Sequence, residues 1–129
     1  MTNLTKAAPI SFVLTRNRDA LEPFHAGVLG LRQIARDDFG TVYGLGAGDA
    51  TLRLTTVEDH VPTPHTVLGW AVPDIRASVQ ALAGQGVTCA IYPGFGQDDL
   101  GIWTAPGGFP RVCWFSDPEG NVLSLTDAG

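Results

Sequence analysis

The fold is decided by the stretch Arg111-Val-Cys-Trp-Phe-Ser-Asp-Pro-Glu-Gly-Asn-Val-Leu-Ser-Leu125, in which two strand-like runs flank a tight turn. The segment Asp117-Pro-Glu-Gly120 suits a type I turn, because Asp favours its first position, proline already has the φ of the second and glycine favours the last. Asn121 tolerates the unusual φ that often follows such a turn. A strand then resumes at Val122, so the stretch predicts a closing β-hairpin.

The composition predicts one globular domain spanning residues 1–129. Apolar residues make up 44% of the chain and charged residues 16%, which is typical of a folded protein with a core. The formal net charge of −5 argues against nucleic acid or an anionic membrane as the main partner, since both require a basic face. The start of the chain has no long apolar core, and no run is long enough to span a membrane. A cytoplasmic location is therefore expected.

The two cysteines, Cys89 and Cys113, lie outside any CxxC or Cys/His cluster, which argues against a zinc site. In a cytoplasmic protein they are expected to be free thiols that pack as small apolar residues.

The order of predicted elements is repeated along the chain. Each copy is a strand, a helix and three strands, and the two helices are predicted to be capped by Asn17 and Asp74. Module one covers about residues 8–57, a proline-containing linker covers 58–65, and module two covers about 66–127. The predicted strands cover residues 10–15, 31–36, 41–45 and 51–56 in module one and 66–72, 87–92, 111–115 and 121–125 in module two.

Module two contains an insertion. The two helix caps lie 57 residues apart, whereas Arg53 and Ser124, on the last strands, lie 71 apart; the difference of 14 matches the Gly-rich segment 94–107. A long loop in a compact domain is often functional, and an ordinary hairpin extension is the alternative. Asp98 and Asp99 in this segment are either an acid–base pair or a solvated turn.

Three stretches resemble the vicinal oxygen chelate superfamily of glyoxalase I, bleomycin-resistance proteins and extradiol dioxygenases. They are Phe24-His-Ala-Gly-Val-Leu-Gly-Leu31, Trp70-Ala-Val-Pro-Asp-Ile75 leading into residues 81–87, and the closing hairpin 114–125. The resemblance implies an α+β fold of two tandem βαβββ modules, each a curved sheet around a cleft. It also implies a homodimer.

In that superfamily a divalent metal is held by the first and last strands of each module. The positions here that match those ligands are Ile10, Arg53, Val67 and Ser124, and none of them is a good ligand. His65 is the one possible donor nearby, and it is either a displaced metal ligand or part of a loop. We therefore expect neither metal nor cofactor, and the nearest functional relatives are the metal-free binders, such as those that sequester bleomycin. The alternative is a lyase, isomerase or dioxygenase-type enzyme that is metal-free or has a displaced metal site.

The predicted cleft residues favour a small organic ligand, either aromatic or anionic. Arg53 and Ser124 are expected to project into the cleft close to each other, beside Phe12 on the first strand. Arg53 favours an anionic or carbonyl-bearing ligand, or else it pairs with an acidic neighbour. Trp103 in the insertion and Trp70 favour stacking on a flat ligand, with core or interface packing as the alternative for Trp70 and also for Trp114.

The remaining histidines suggest no catalytic role. His25 on the apolar helix face is expected to be buried and hydrogen-bonded, and His60 in the linker to be solvated. No catalytic residue is assigned.

Overall fold

A computed structural model of the chain describes residues 3–129 and divides into two compact units. The first ends at Val61 and the second spans Pro62–Gly129. Each unit has a four-stranded sheet with a helix packed on one face, so the predicted α+β fold of two repeated modules is confirmed. Within residues 3–129, no helix combines the length and apolar character needed to cross a membrane.

The first unit contains two helical turns and four strands. They are β1 (Ile10–Thr15), α1 (Arg18–Pro23), a π-helical turn (Phe24–Val28), β2 (Gln33–Arg36), β3 (Gly40–Gly44) and β4 (Thr51–Thr56). The strand order is β1-β4-β3-β2, with β1 parallel to β4 and the other pairs antiparallel. Asn17 caps α1 as predicted, since its side chain accepts a hydrogen bond from Ala20 N–H.

Alternation along the strands separates the two faces of the first sheet. The side chains of Val13, Leu52 and Leu54 are buried and form the core with Leu21 of α1. His25 is fully buried as expected, with Nδ1 3.0 Å from the carbonyl oxygen of Leu21 and its ring stacked on that of Tyr43.

The second unit contains β5 (Thr66–Ala71), α2 (Ile75–Gly84), β6 (Trp103–Thr104), β7 (Arg111–Ser116) and β8 (Val122–Asp127). The strand order is β5-β8-β7-β6, with β5 parallel to β8. The cap predicted at Asp74 is present, since its side chain accepts a hydrogen bond from Ala77 N–H. Its core contains the side chains of Ile75, Val79, Cys113, Phe115, Leu123 and Leu125.

The strand predicted over residues 87–92 is wrong, and the short strand β6 pairs with β7 instead. The segment after α2 contacts β7 through one backbone hydrogen bond, from Ala90 N–H to the Trp114 carbonyl oxygen at 2.7 Å. It then turns at Gly94 and Gly96, whose φ angles of 79° and 82° are incompatible with a continuing strand.

The closing hairpin forms around the carboxylate of Asp117. Its Oδ1 accepts hydrogen bonds from the N–H groups of Glu119, Gly120 and Asn121 at 2.9–3.0 Å. The unusual φ expected at Asn121 belongs instead to Gly120, at 102°. Glycine carries no Cβ, so the chain reverses there without strain.

Candidate ligand-binding site

The second sheet has one face covered by α2 and one open face. The alternation of β7 and β8 places Cys113 and Leu125 on the covered face, where both are buried. Trp114 and Ser124 are directly opposite each other in the register and therefore share the open face. Trp103 pairs with Val112, which lies two residues before Trp114, so β6 adds a second indole ring to this face.

Four rings form an aromatic cluster on the open face, namely Tyr92, Phe95, Trp103 and Trp114. Phe95 lies at its centre, with its ring centroid 5.6 Å from that of Trp114, 5.9 Å from that of Trp103 and 6.2 Å from that of Tyr92. The Tyr92 and Trp114 rings are 6.0 Å apart and nearly perpendicular. These distances are typical of edge-to-face packing, which stabilises ring pairs beyond the area that they bury.

A cavity of about 360 Å³ lies against this cluster. It is lined by Pro64, His65, Thr66, Tyr92, Phe95 and Trp114. Tyr92 and Phe95 are 40% and 47% exposed, which leaves much of their apolar surface available to a ligand. The volume is within the range of small-molecule sites, and exposed apolar patches of this kind often mark binding surfaces.

Gln97 holds the segment that carries Tyr92 and Phe95. Its side-chain oxygen accepts a hydrogen bond from Tyr92 N–H at 2.7 Å. Its side-chain nitrogen donates to the carbonyl oxygens of Ala90 and Gly101, both at 2.8 Å. One amide group therefore ties together three points of a loop that has little regular structure.

The carboxylate of Asp98 also serves the loop. Its Oδ1 accepts hydrogen bonds from the N–H groups of Leu100 and Ile102, both at 2.9 Å. Asp99 is exposed. Of the two interpretations of this pair, the turn is the one that the geometry favours, because the Asp98 oxygen is used to order the backbone.

Ser124 lies at the position where the superfamily resemblance implies a metal-binding carboxylate. It is 9% exposed, and it is paired with Gly69 on β5 as well as with Trp114 on β7. A Cβ added at Gly69 would collide with Ser124 Oγ. The hydroxyl thus packs directly over a glycine and occupies the space next to the neighbouring strand.

Arg53 lies on the corresponding open face of the first unit, in register with Phe12 on β1 and Val42 on β3. Its Nη2 is 3.3 Å from Asp37 Oδ2, which confirms the alternative of an acidic neighbour. The N–H of Phe39 lowers the pKa of Asp37, and the guanidinium lowers it further, so this carboxylate stays charged near neutral pH. Phe12 is 59% exposed. The expected closeness of Arg53 and Ser124, which belong to different units, stays a prediction.

The side chains at the implied metal positions do not fit a metal. Ile10 and Val67 have no donor atom, Arg53 is a cation and Ser124 packs on Gly69. His65 lies just before β5 and lines the cavity. Across residues 3–129, no three His, Cys, Asp or Glu side chains are close enough together to share a metal ion.

Trp70 does not join the aromatic cluster. The register pairs it with Leu125 on β8, whose side chain is on the face covered by α2. Since Gly69 and Ser124 are the pair on the open face, we leave Trp70 out of the candidate site, in line with the packing alternative.

The prediction from sequence missed three residues of the site: Tyr92, Phe95 and Gln97. The sequence pattern places Tyr92 in a strand and indicates no role for Phe95 or Gln97. The signal was the stretch Tyr92-Pro-Gly-Phe95, in which two aromatic residues flank a Pro-Gly turn and are thereby brought close together.

Comparison with known proteins places this geometry in a recognised fold. No family model matches the chain, and neither does any curated protein sequence. Solved structures do match. TnmS3, an antibiotic binding protein from Streptomyces sp. CB03234, is 19% identical with a TM-score of 0.76, covering 99% of this chain and 100% of its own.

The chain has the fold of the glyoxalase/bleomycin-resistance/dioxygenase superfamily. A member of that superfamily from Sphaerobacter thermophilus DSM 20745 is 18% identical with a TM-score of 0.72, covering 97% of this chain and 99% of its own. Lactoylglutathione lyase from Agrobacterium tumefaciens is 13% identical with a TM-score of 0.70, covering 95% and 93%. At these identities the likeness shows the fold alone, and it agrees with the fold implied by the sequence resemblance.

Proposed function

We propose that this protein binds a small, flat aromatic molecule, without a metal, in the cavity beside the aromatic cluster. The observation that carries the proposal is the group of rings from Tyr92, Phe95 and Trp114 around a cavity of about 360 Å³. A flat ligand gains from burying apolar area against these rings and from stacking on them. The antibiotic binding protein of the same fold supports a binding role.

The cavity suits an uncharged or weakly polar ring system. Arg53 is the residue that favours an anionic ligand, but its guanidinium is engaged by Asp37 within its own unit. His65 and Thr66 at the cavity supply the polar atoms that would orient a ligand. The proposed ligand is therefore aromatic rather than anionic.

The binding test compares two phenylalanines with the same exposure in the same unit. Phe95 belongs to the cluster and Phe109 does not, yet both are 47% exposed. Wild type is titrated with planar compounds of two to four fused rings and with their saturated counterparts, and tryptophan fluorescence is followed. Losing one aromatic contact with the ligand costs about 1 kcal/mol of binding free energy. Phe95→Leu should therefore weaken binding about fivefold, whereas Phe109→Leu should leave it unchanged.

Two results of this titration would contradict the proposal. One is that no planar compound binds at millimolar concentration. The other is that saturated and planar compounds bind equally well and Phe95→Leu has no larger effect than Phe109→Leu, since the rings would then contribute nothing specific.

The metal-free part of the proposal has its own test. The lyase, isomerase or dioxygenase alternative requires a metal at a displaced site or acid–base chemistry by the protein alone. Elemental analysis of protein purified without chelators should find less than stoichiometric metal. A full equivalent of zinc, nickel, iron or manganese that is lost in His65→Ala would establish the displaced site instead.

The homodimer and the cytoplasmic location are further proposals. The first unit exposes Ile10, Phe12 and Ile34 to between 52% and 59%, which is apolar surface that a second copy of the chain could cover. Sedimentation analysis at micromolar concentration should give the mass of a dimer, and a monomer mass would contradict this proposal.

A further inference from the structure

The two cysteines of the chain meet behind the aromatic cluster, on the covered face of β7. Cys113 is fully buried, and Cys89 is half-buried in the segment that follows α2. The residue after each cysteine joins the two segments, because Ala90 N–H donates to the Trp114 carbonyl oxygen at 2.7 Å. Neither cysteine is in a disulfide, and a hydrogen bond from the Cys113 side chain lowers the pKa of Cys89. We call Cys89 and Cys113 the thiol pair.

A second contact fixes the position of Cys89. The backbone of Gly101, which has a φ of 87°, approaches Cys89 so closely that a Cβ added there would lie 2.8 Å from Cys89 Cβ. Gln97 bonds both Ala90 and Gly101, so the chain on either side of this contact is held. The thiol pair is thus set by the same contacts that position Tyr92 and Phe95.

The two sulfur atoms differ in reactivity. The hydrogen bond from the Cys113 thiol lowers the pKa of Cys89, although burial opposes the change. The same hydrogen bond and burial raise the pKa of Cys113. The half-buried Cys89 is therefore the thiol that forms a thiolate more readily and that reagents from solvent can reach, and Cys113 is its buried partner. A thiolate next to a second thiol is the arrangement on which reversible oxidation depends.

We propose that the thiol pair is a modification site that is oxidised by a hydroperoxide to an intramolecular disulfide. The Cys89 thiolate attacks the terminal peroxide oxygen, the O–O bond breaks, and Cys89 becomes a sulfenic acid; the leaving hydroxide or alkoxide takes up the proton that the Cys89 thiol had released and departs as water or an alcohol. The Cys113 sulfur then attacks the Cys89 sulfur, the S–O bond breaks, and the hydroxyl leaves as water with the Cys113 proton. The two thiols supply both electrons that reduce the peroxide.

The disulfide would close the loop from Cys89 to Cys113, which carries Tyr92, Phe95 and Trp103 of the aromatic cluster. Tying the ends of this loop restricts the unfolded chain, so the oxidised protein should melt at a temperature higher by roughly 5 °C or more. The proposal concerns the thiols alone and does not rest on ligand binding.

To test this, the whole chain is treated with hydrogen peroxide and the peroxide is then removed. The protein is denatured and labelled with a maleimide, and its intact mass is measured. The expected product is a single chain that has lost two hydrogen atoms, takes up no maleimide, and takes up two after treatment with dithiothreitol. In Cys113→Ser the sulfenic acid should persist on Cys89 and react with dimedone. In Cys89→Ser, Cys113 should stay reduced.

The proposal is overturned if both cysteines of the peroxide-treated wild type react with maleimide, if Cys89 accumulates as the sulfinic acid, or if the disulfide joins two chains. If Cys113→Ser fails to fold, Cys113→Ala replaces it, and the wild-type mass measurement still decides. Because no ligand is added, failure of the proposed aromatic binding would not alter any of these outcomes.

Discussion

Gln97 should be a sensitive polar position of the second unit. Its side chain makes three hydrogen bonds of 2.7–2.8 Å, to Tyr92 N–H and to the carbonyl oxygens of Ala90 and Gly101. At about 1 kcal/mol net for each bond, Gln97→Ala should lower the free energy of unfolding by about 3 kcal/mol. Gln80, which is exposed on α2, provides the control: Gln80→Ala should change it by less than about 0.5 kcal/mol.

A second variant separates hydrogen bonding from packing. Gln97→Glu keeps the shape and the acceptor for Tyr92 N–H, but it replaces the donating nitrogen by an oxygen that faces the carbonyl oxygens of Ala90 and Gly101. At neutral pH it should therefore be at least as destabilising as Gln97→Ala. Protonation of the new carboxyl restores one donor, so part of the loss should be recovered at acid pH relative to wild type.

The assay is urea unfolding followed by circular dichroism. A loss of about 3 kcal/mol moves the midpoint by about 1–3 M for slopes typical of small proteins. Hydrogen exchange of the Tyr92 amide reports whether the loop alone has opened. The reasoning would be refuted if Gln97→Ala matched Gln80→Ala in both measurements, or if Gln97→Glu were as stable as wild type at neutral pH.

Four further substitutions test the packing and charges of the second unit. Gly69→Ala should lower the melting temperature because its Cβ collides with Ser124 Oγ, and Ser124→Ala in the same chain should recover part of the loss, since the Ser124 backbone oxygen still lies 3.3 Å from the added Cβ. Asp127→Asn should flatten the loss of stability in acid: the Gly129 N–H holds the pKa of this buried carboxyl below its usual range, so the stabilisation is present above about pH 4 and is lost as pH falls through the lower folded value. Leu123→Ala, at a fully buried site, should cost about 2–5 kcal/mol in urea unfolding.

The repeated modules are predictable from the preferences of residues for helix caps, strands and turns. The caps at Asn17 and Asp74 lie where side-chain and backbone preferences agree, and β4 alternates buried and half-buried positions as its sequence indicates. The turn at Asp117 also follows from residue preferences, because its hydrogen bonds stay within five residues. These features depend on neighbours that are close in the sequence.

The irregular conformation of residues 87–92 and the roles of Tyr92 and Phe95 depend on contacts that are not visible in the sequence pattern. The stretch from Val87 to Tyr92 has the composition of a strand, but its conformation is set by Gln97 and by the glycines that follow it. A side-chain amide that bonds three backbone groups leaves no periodic signal. Of the aromatic cluster, the sequence therefore indicates only Trp103 as a preferred ligand contact.

In both units, the side chain on the last strand at the implied metal position packs over a glycine of the same sheet. In the second unit Ser124 packs over Gly69 of the neighbouring strand, and in the first Arg53 lies across Gly40, where an added Cβ would be 3.3 Å from both Cγ and Nε of Arg53. The polar group of Arg53 is then engaged by Asp37. In each sheet, a glycine gives the replacing side chain room to lie along the sheet rather than stand out from it. On the open face of the second unit the aromatic cluster is the surface that remains for a ligand to contact, which is the basis of the proposed recognition by shape and stacking.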